Sequence, residues 1–167
     1  MAQNTYMHMK NILAVIAVLF TVQLFAQTHE IIKHNGEKLV VNYVKTEKNI
    51  VFYTHPNSSE EYKISRYAVA QLNEKAKNNS KIISEKINLD ENRDYKKVVV
   101  LKETEAIGLK KAGDLKGYHS ISKGETRWSL AQIGEKRLKQ NAAKKGYQFI
   151  VITSNKKDHL KAIAYTY

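Results

Sequence analysis

The segment that most constrains the fold of this chain is Thr126–Thr153, TRWSLAQIGEKRLKQNAAKKGYQFIVIT. Gly146 stands where a helix needs a residue with left-handed backbone, and Phe149–Thr153 is a continuous apolar run typical of a buried strand. The segment therefore predicts a helix of about 20 residues, about 30 Å long, followed by a strand. Small or apolar residues recur at helical spacing on the face that we expect to cover a sheet: Leu130, Ala131, Gly134, Leu138 and Ala142.

Residues 1–26 have the pattern of a signal peptide. Lys10 precedes the apolar run Ile12–Phe25, which has signal-peptide length and is short for a membrane span. Ala26 suits a cleavage site, so we expect an exported protein that begins near Gln27 and has no transmembrane span once processed. An uncleaved membrane anchor is the alternative. The chain has no cysteine, which excludes disulfides, thiolate metal sites and a lipid-modified cysteine at the cleavage site.

Residues 27–75 predict a small β-rich module. Asn35-Gly36 marks a hairpin turn, and Pro56–Ser59 marks a second turn. Ser65–Lys75 fits either a helical turn or a last strand. Short strands separated by tight turns indicate a meander or small barrel, with strands at Glu30–Lys33, Lys38–Val44, Ile50–Thr54 and Glu61–Ile64.

Residues 76–94 are polar and predict a connecting segment. Within it, Lys81–Ile87 (KIISEKI) fits a helix turn or a strand that joins the following unit. Residues 95–167 predict a β-β-α-β-β domain, with one long helix packed on an antiparallel or mixed sheet. The fold class is therefore α+β. The predicted strands of this domain are Lys97–Leu101, Gly108–Gly117, Phe149–Thr153 and Lys161–Tyr167.

Charge separates the two units. Residues 27–75 carry 7 lysines and arginines against 6 acids, whereas residues 96–167 carry 16 against 6. The formal net charge of +12 for the whole chain therefore belongs mostly to the second unit. This asymmetry predicts two units with different surfaces.

The second unit contains four motifs: the glycine element Ala112–Gly117, the helix end with Leu138, Ala142, Ala143, Gly146 and Tyr147, the strand Phe149–Thr153, and the closing Ala164–Tyr167. With these motifs the unit resembles a bacterial envelope family that includes the YbjQ-like proteins and the outer-membrane stress sensor RcsF. The resemblance implies the α+β fold and a role in the envelope, and it is compatible with a homo-oligomer. RcsF's disulfides have no counterpart in this chain, and no ligand set here supports the metal binding proposed for YbjQ-like proteins.

The first unit has two strands around the Asn35–Glu37 turn and the sequence YKIS at Tyr62–Ser65. In these features it resembles a short SH3-like β module found in secreted bacterial proteins. Together the two resemblances imply a secreted, two-part envelope protein.

No residue pattern predicts catalysis or a cofactor. The histidines are scattered, whereas an imidazole metal site needs converging ligands. The serines lack a nucleophile elbow, and Gly108–Gly117 lacks the ending of a phosphate loop. We therefore expect a non-enzymatic protein that acts by binding, possessing no metal and no cofactor.

The helix is the best candidate for a partner surface, because it concentrates positive charge that would attract anions. The expected partner is an envelope protein; the alternative is a basic binder or carrier of anionic ligands or an anionic membrane surface. Export makes nucleic acid an improbable partner. The candidate contact residues are Arg127, Lys136, Arg137, Lys139, Lys144 and Lys145, and an alternative apolar contact consists of Trp128, Tyr165 and Tyr167.

Overall fold

The structure is a computed structural model that describes residues 28–117, 127–156 and 159–167. Within these residues the chain forms ten strands in two sheets and one α-helix. The α+β class predicted from the sequence is therefore correct. The predicted signal peptide lies outside the described residues.

The first sheet has six antiparallel strands: β1 (Thr28–Lys33), β2 (Lys38–Glu47), β3 (Ile50–Thr54), β4 (Glu61–Ser65), β5 (Val69–Glu74) and β6 (Asn79–Ile82). Their order in the sheet is β4-β3-β2-β1-β5-β6. The β1–β2 hairpin turns at Gly36, whose φ of +90° suits glycine, and the Asn35 side chain accepts a 3.0 Å hydrogen bond from the Glu37 backbone N–H. Ile31, Val41 and Val51 point into a buried core under this sheet.

Strand β6 differs from the expectation for this region. We predicted a polar connecting segment over 76–94, with Lys81–Ile87 as a helix turn or as a strand of the second unit. Residues 79–82 instead extend the first sheet by pairing with β5. The physical reason is Ile83, which is buried in the core of the first sheet and whose N–H donates to the Ala70 carbonyl. The open choice at Ser65–Lys75 is also resolved, because a 3-10 turn (Arg66–Ala68) precedes β5.

Across the described residues the second sheet has the strands β7 (Val99–Val100), β8 (Lys110–Gly117), β9 (Phe149–Lys156) and β10 (His159–Thr166), and the helix α1 (Arg127–Lys144) lies between β8 and β9 in the chain. The order of these strands in the sheet is β7-β9-β10-β8, in which β7 and β9 are parallel and the other described pairs are antiparallel. The sequence predicted a strand at Lys97–Leu101, but the strand in the structure is only Val99–Val100. Short 3-10 helices at Glu91–Lys97 and Glu103–Glu105 flank β7.

Helix α1 packs on this sheet through the predicted face. Leu138 and Ala142 are fully buried, while Leu130 is only half-buried. Gly134 lets the helix approach the sheet closely, because a Cβ there would displace the ends of the Asn155 and Leu160 side chains. Asn155 in turn donates a 3.1 Å hydrogen bond to the Ala131 carbonyl across this close approach. One face of α1 therefore packs on the sheet, and the opposite face points outward.

A third core joins the two sheets. Phe149 is fully buried in it, and its ring lies 5.6 Å from the Tyr67 ring of the first unit. The Ser65 N–H of the first unit donates a 2.7 Å hydrogen bond to the Ile107 carbonyl of the second. The two units therefore share buried apolar surface and backbone hydrogen bonds.

His34 takes part in the same junction. Its Nε2 lies 2.9 Å from the Ser84 Oγ, which itself donates to the Val69 carbonyl, so His34 must be the donor. Its ring lies 4.6 Å from that of Tyr167. Burial and, secondarily, the positive charge of Lys86 lower the pKa of His34 below its ordinary value of 6.5. The neutral imidazole is therefore the form that suits the folded chain.

We expect the free energy of unfolding to fall as the pH drops through 6.5, because the unfolded chain binds the His34 proton more tightly than the folded chain. Above this pH the contribution of His34 is fully present. His34→Gln should make the free energy of unfolding, measured in urea, depend less on pH between pH 7.5 and about pH 5. His159→Gln, at an exposed position on β10, is the control. Equal slopes for wild type and His34→Gln would contradict the assignment.

Candidate functional site

A cavity of about 610 Å³ opens beside the outward face of α1. This volume is within the usual range for sites that bind small ligands. The described residues that line it are mostly polar: Gly117, Ile133, Lys136, Arg137, Gln140, Asn141 and Lys144.

Helical spacing places these side chains together. Residues three and four apart on a helix are neighbours, so Lys136, Gln140 and Lys144 form one row, with Arg137 and Asn141 beside it. The Asn141 amide donates a 3.2 Å hydrogen bond to the Lys116 carbonyl and so fixes the helix against the end of β8. The wall of the cavity is therefore held by the fold, and the cations stand along one side of it.

A smaller cavity of about 310 Å³ adjoins the first one at Lys136, which lines both. The Lys136 Nζ lies 5.7 Å from the centre of the Tyr95 ring, a cation–π distance. Glu135 lines the smaller cavity and pairs with Lys139 at 3.2 Å. The described lining is Tyr95, Lys96, Gln132, Glu135, Lys136 and Lys139. We call the two cavities together the basic furrow.

The furrow is strongly unbalanced in charge. The described lining of the larger cavity includes three cations, of which Arg137 already has an interaction partner, and Lys136 and Lys144 are exposed. The acid of the smaller cavity is paired with a lysine, which leaves Lys96 and Lys136 to add to the positive potential. A concave surface lined by one sign of charge focuses its field on a ligand of the opposite sign. The furrow is therefore suited to an anion.

The structure brings together four of the six predicted basic contact residues, Lys136, Arg137, Lys139 and Lys144. Lys145 is exposed just after the helix and lines neither cavity. The side chains of Arg127 and Trp128 are outside the described residues. The prediction missed Tyr95, Lys96, Gln140 and Asn141. Helical spacing from Lys136 could have identified Gln140 and Asn141. Tyr95 and Lys96 precede β7 and are brought to the helix only by the tertiary fold.

Tyr165 and Tyr167, the candidate apolar contact, are partly buried in the core between the units. The Tyr167 ring meets Phe149 edge to face at 5.2 Å. Its hydroxyl accepts a 2.8 Å hydrogen bond from the Ile87 N–H. Burial raises the pKa of Tyr167, and this hydrogen bond opposes the rise. Much of the surface of both tyrosines is thus already in contact with the chain itself.

Over residues 28–117, 127–156 and 159–167 no group of three potential metal ligands comes together. In the same ranges no helix is long and apolar enough to cross a membrane. Neither finding tests the predictions that the protein has no metal, no cofactor and no catalytic activity.

Comparison of the chain with protein-family models, with curated proteins and with solved structures found no match.

Proposed function

We propose that this chain is an exported, non-enzymatic protein of the bacterial cell envelope that acts by binding an anionic partner through the outward face of α1. The observation that carries the proposal is the outward side of α1, where Lys136 and Lys144 are exposed in one row and line the larger cavity. The opposite face of the helix is buried, so the basic face is displayed by a rigid element.

The architecture supports the proposal in its details. We propose that the first unit is an SH3-like module and that the second is a β-β-α-β-β domain of the kind in YbjQ-like proteins and RcsF. The glycine element of β8 supports the second resemblance, because a β-bulge occurs there opposite Ala164 and Tyr165. The buried Ala142 and Ala143 support it as well, since they let α1 lie close to the sheet.

The location is tested by sequencing the N-terminus of the mature protein. We expect it to begin near Gln27, because the apolar run Ile12–Phe25 after Lys10 predicts export and Ala26 predicts cleavage. The intact first residues in a cytosolic fraction would contradict the proposal.

The binding surface is tested by reversing Lys136, Lys139 and Lys144 to glutamate in the full chain. Reversal of the furrow's charge should abolish attraction to an anionic partner. Lys136 and Lys144 are exposed, so each of their substitutions should change stability by about 0.5 kcal/mol or less. Lys139 is partly buried and its reversal also removes the pair with Glu135, so circular dichroism must show that the variant is folded. The measurement is the fraction of protein retained on isolated envelopes as the salt concentration rises. Wild type should be retained at low salt and released at high salt. The triple variant should be released throughout.

A matched control changes the net charge equally on the other unit. Lys38, Lys75 and Lys81 are exposed on the first sheet and its turns, far in sequence from α1. Their reversal to glutamate should leave retention close to that of wild type. Equal loss of retention in both triple variants would show that net charge, and not the face of α1, determines binding, and would refute the proposed surface.

A further inference from the structure

The smaller cavity of the basic furrow is a cleft with two walls in the described chain. The 3-10 helix Glu91–Lys97 forms one wall, and α1 forms the other. Tyr95 on the first wall packs, partly buried, against the core that α1 shares with the second sheet, so packing holds this wall beside the helix. The volume of about 310 Å³ is at the lower end of the range of about 300–1,000 Å³ that is usual for small-ligand sites. The cleft therefore has room for a group of side-chain size.

Each wall of the cleft supplies an exposed lysine. Lys96 belongs to the 3-10 helix and Lys136 belongs to α1, and both line the cleft. The Lys136 Nζ lies 5.7 Å from the centre of the Tyr95 ring. This cation–π contact depends on the charge of the ammonium group, which keeps its N–H donors for an oxygen ligand. A carboxylate in the cleft can therefore be approached by a lysine from each wall.

The cleft is not lined by cations alone. Glu135 lines it and pairs with Lys139 at 3.2 Å, and the Glu135 side chain is 44% exposed. A carboxylate has more lone pairs than one ion pair uses, so Glu135 can accept a further hydrogen bond from a ligand. Gln132, which is also exposed, carries an amide that both donates and accepts. A ligand that suits this lining must offer hydrogen-bond donors as well as negative charge.

We infer that the cleft binds an acidic side chain of an extended segment of a partner protein. The carboxylate of that side chain lies between Lys96 and Lys136, and a backbone N–H of the segment donates to Glu135. A chain of phosphate groups carries negative charge without such donors, so Glu135 would repel it and gain no hydrogen bond in return. The inference rests on the proposed function and deepens it, because it identifies the anionic partner as a protein.

The first test measures how the purified full chain binds a short labelled peptide in which glutamate alternates with serine. We expect the fluorescence anisotropy of the peptide to rise as the protein is added at low salt, and to fall again as the salt concentration is raised. The same peptide with glutamine in place of glutamate should not bind. Equal binding of the two peptides, or binding of neither, would overturn the inference.

Two lysines of the second unit provide a matched pair of variants. Lys96→Met should weaken peptide binding about fivefold, as expected for the loss of one exposed ion pair. Lys145 is exposed just after α1 and lines neither cavity. Lys145→Met removes the same charge and should change the affinity less than about twofold. Equal losses would show attraction by net charge and would overturn the inference.

Glu135→Met distinguishes a peptide from a pure anion by the sign of its effect. The variant is more positive than wild type, so attraction by charge alone should tighten binding. Because the acceptor for the backbone N–H is lost, we expect peptide binding to weaken about threefold or more. Binding of inorganic polyphosphate, which has no donors, should instead tighten. Tighter peptide binding by this variant would overturn the inference.

Asp114→Asn is the control for this change. Asp114 is an exposed acid of β8 that pairs with Lys111 at 3.5 Å, and it is absent from the described lining of the cleft. Its substitution removes the same negative charge and should weaken the binding of neither probe. Failure of the glutamate peptide to bind, combined with retention on envelopes that depends on Lys136, Lys139 and Lys144, would refute the acidic segment and leave the proposed function standing.

Discussion

Replacing Phe149 with alanine is expected to lower the free energy of unfolding by about 3–5 kcal/mol. Phe149 is fully buried at the start of β9. Its ring packs against Tyr67 of the first unit and Tyr167 of the second. Loss of the ring leaves a cavity at the junction, so the two units should also become less strongly coupled. Urea unfolding measures both effects, as a lower midpoint and a broader or divided transition.

Phe52→Ala is the matched control for this change. Phe52 lies on the face of β3 that points away from the core of the first sheet, and it is half-exposed. The Nζ atoms of Lys45 and Lys63 lie 5.0 and 5.5 Å from the centre of its ring. Because less of its surface is buried, the same substitution should cost much less there. Equal costs at the two positions would mean that the core between the units is not formed as described.

The second large effect is expected at Leu138, where replacement by alanine should cost about 2–5 kcal/mol. Leu138 is fully buried where α1 meets the second sheet, among Leu115, Ile150 and Leu160. The substitution would leave a void on the sheet-facing side of the helix that carries the basic furrow. We therefore expect lower stability in urea unfolding together with weaker retention on envelopes, since the furrow depends on a fixed helix.

Leu130→Ala is the control, because Leu130 is on the same helix but only half-buried. A loss smaller than that of Leu138→Ala is expected. A change under about 0.5 kcal/mol for Leu138→Ala, which is typical of surface positions, would contradict the assignment of the helix face.

These effects follow from the division of α1 into two faces. Leu138 and Ala142 hold the helix on the sheet, and Lys136, Gln140 and Lys144 form a row on the outward side. The glycine at position 134 permits the close approach. Substitutions on the outward face should therefore alter binding with little loss of stability, whereas Leu138→Ala should alter both.

The sequence by itself determined the elements with strong local signals. The strand Ile50–Thr54 was predicted with the bounds that the structure gives, and the helix was predicted within a few residues of Arg127–Lys144. Both follow from periodicity, glycine and β-branched residues, which act over a few positions along the chain. The same spacing correctly placed Leu138 and Ala142 in the core and put Lys136 and Lys144 on one side of the helix.

Only the tertiary structure decided the features that depend on distant residues. Strand β6 is polar and mostly exposed, with Ile82 67% exposed, so no local pattern marked it; pairing with β5 and the burial of Ile83 determine it. The contact of Tyr95 with Lys136 joins residues far apart in the chain, and so does the contact of Tyr67 with Phe149. Such contacts arise from the packing of whole elements, in which many weak interactions act together. The sequence therefore specified the basic helix, and packing made its outward face into a furrow.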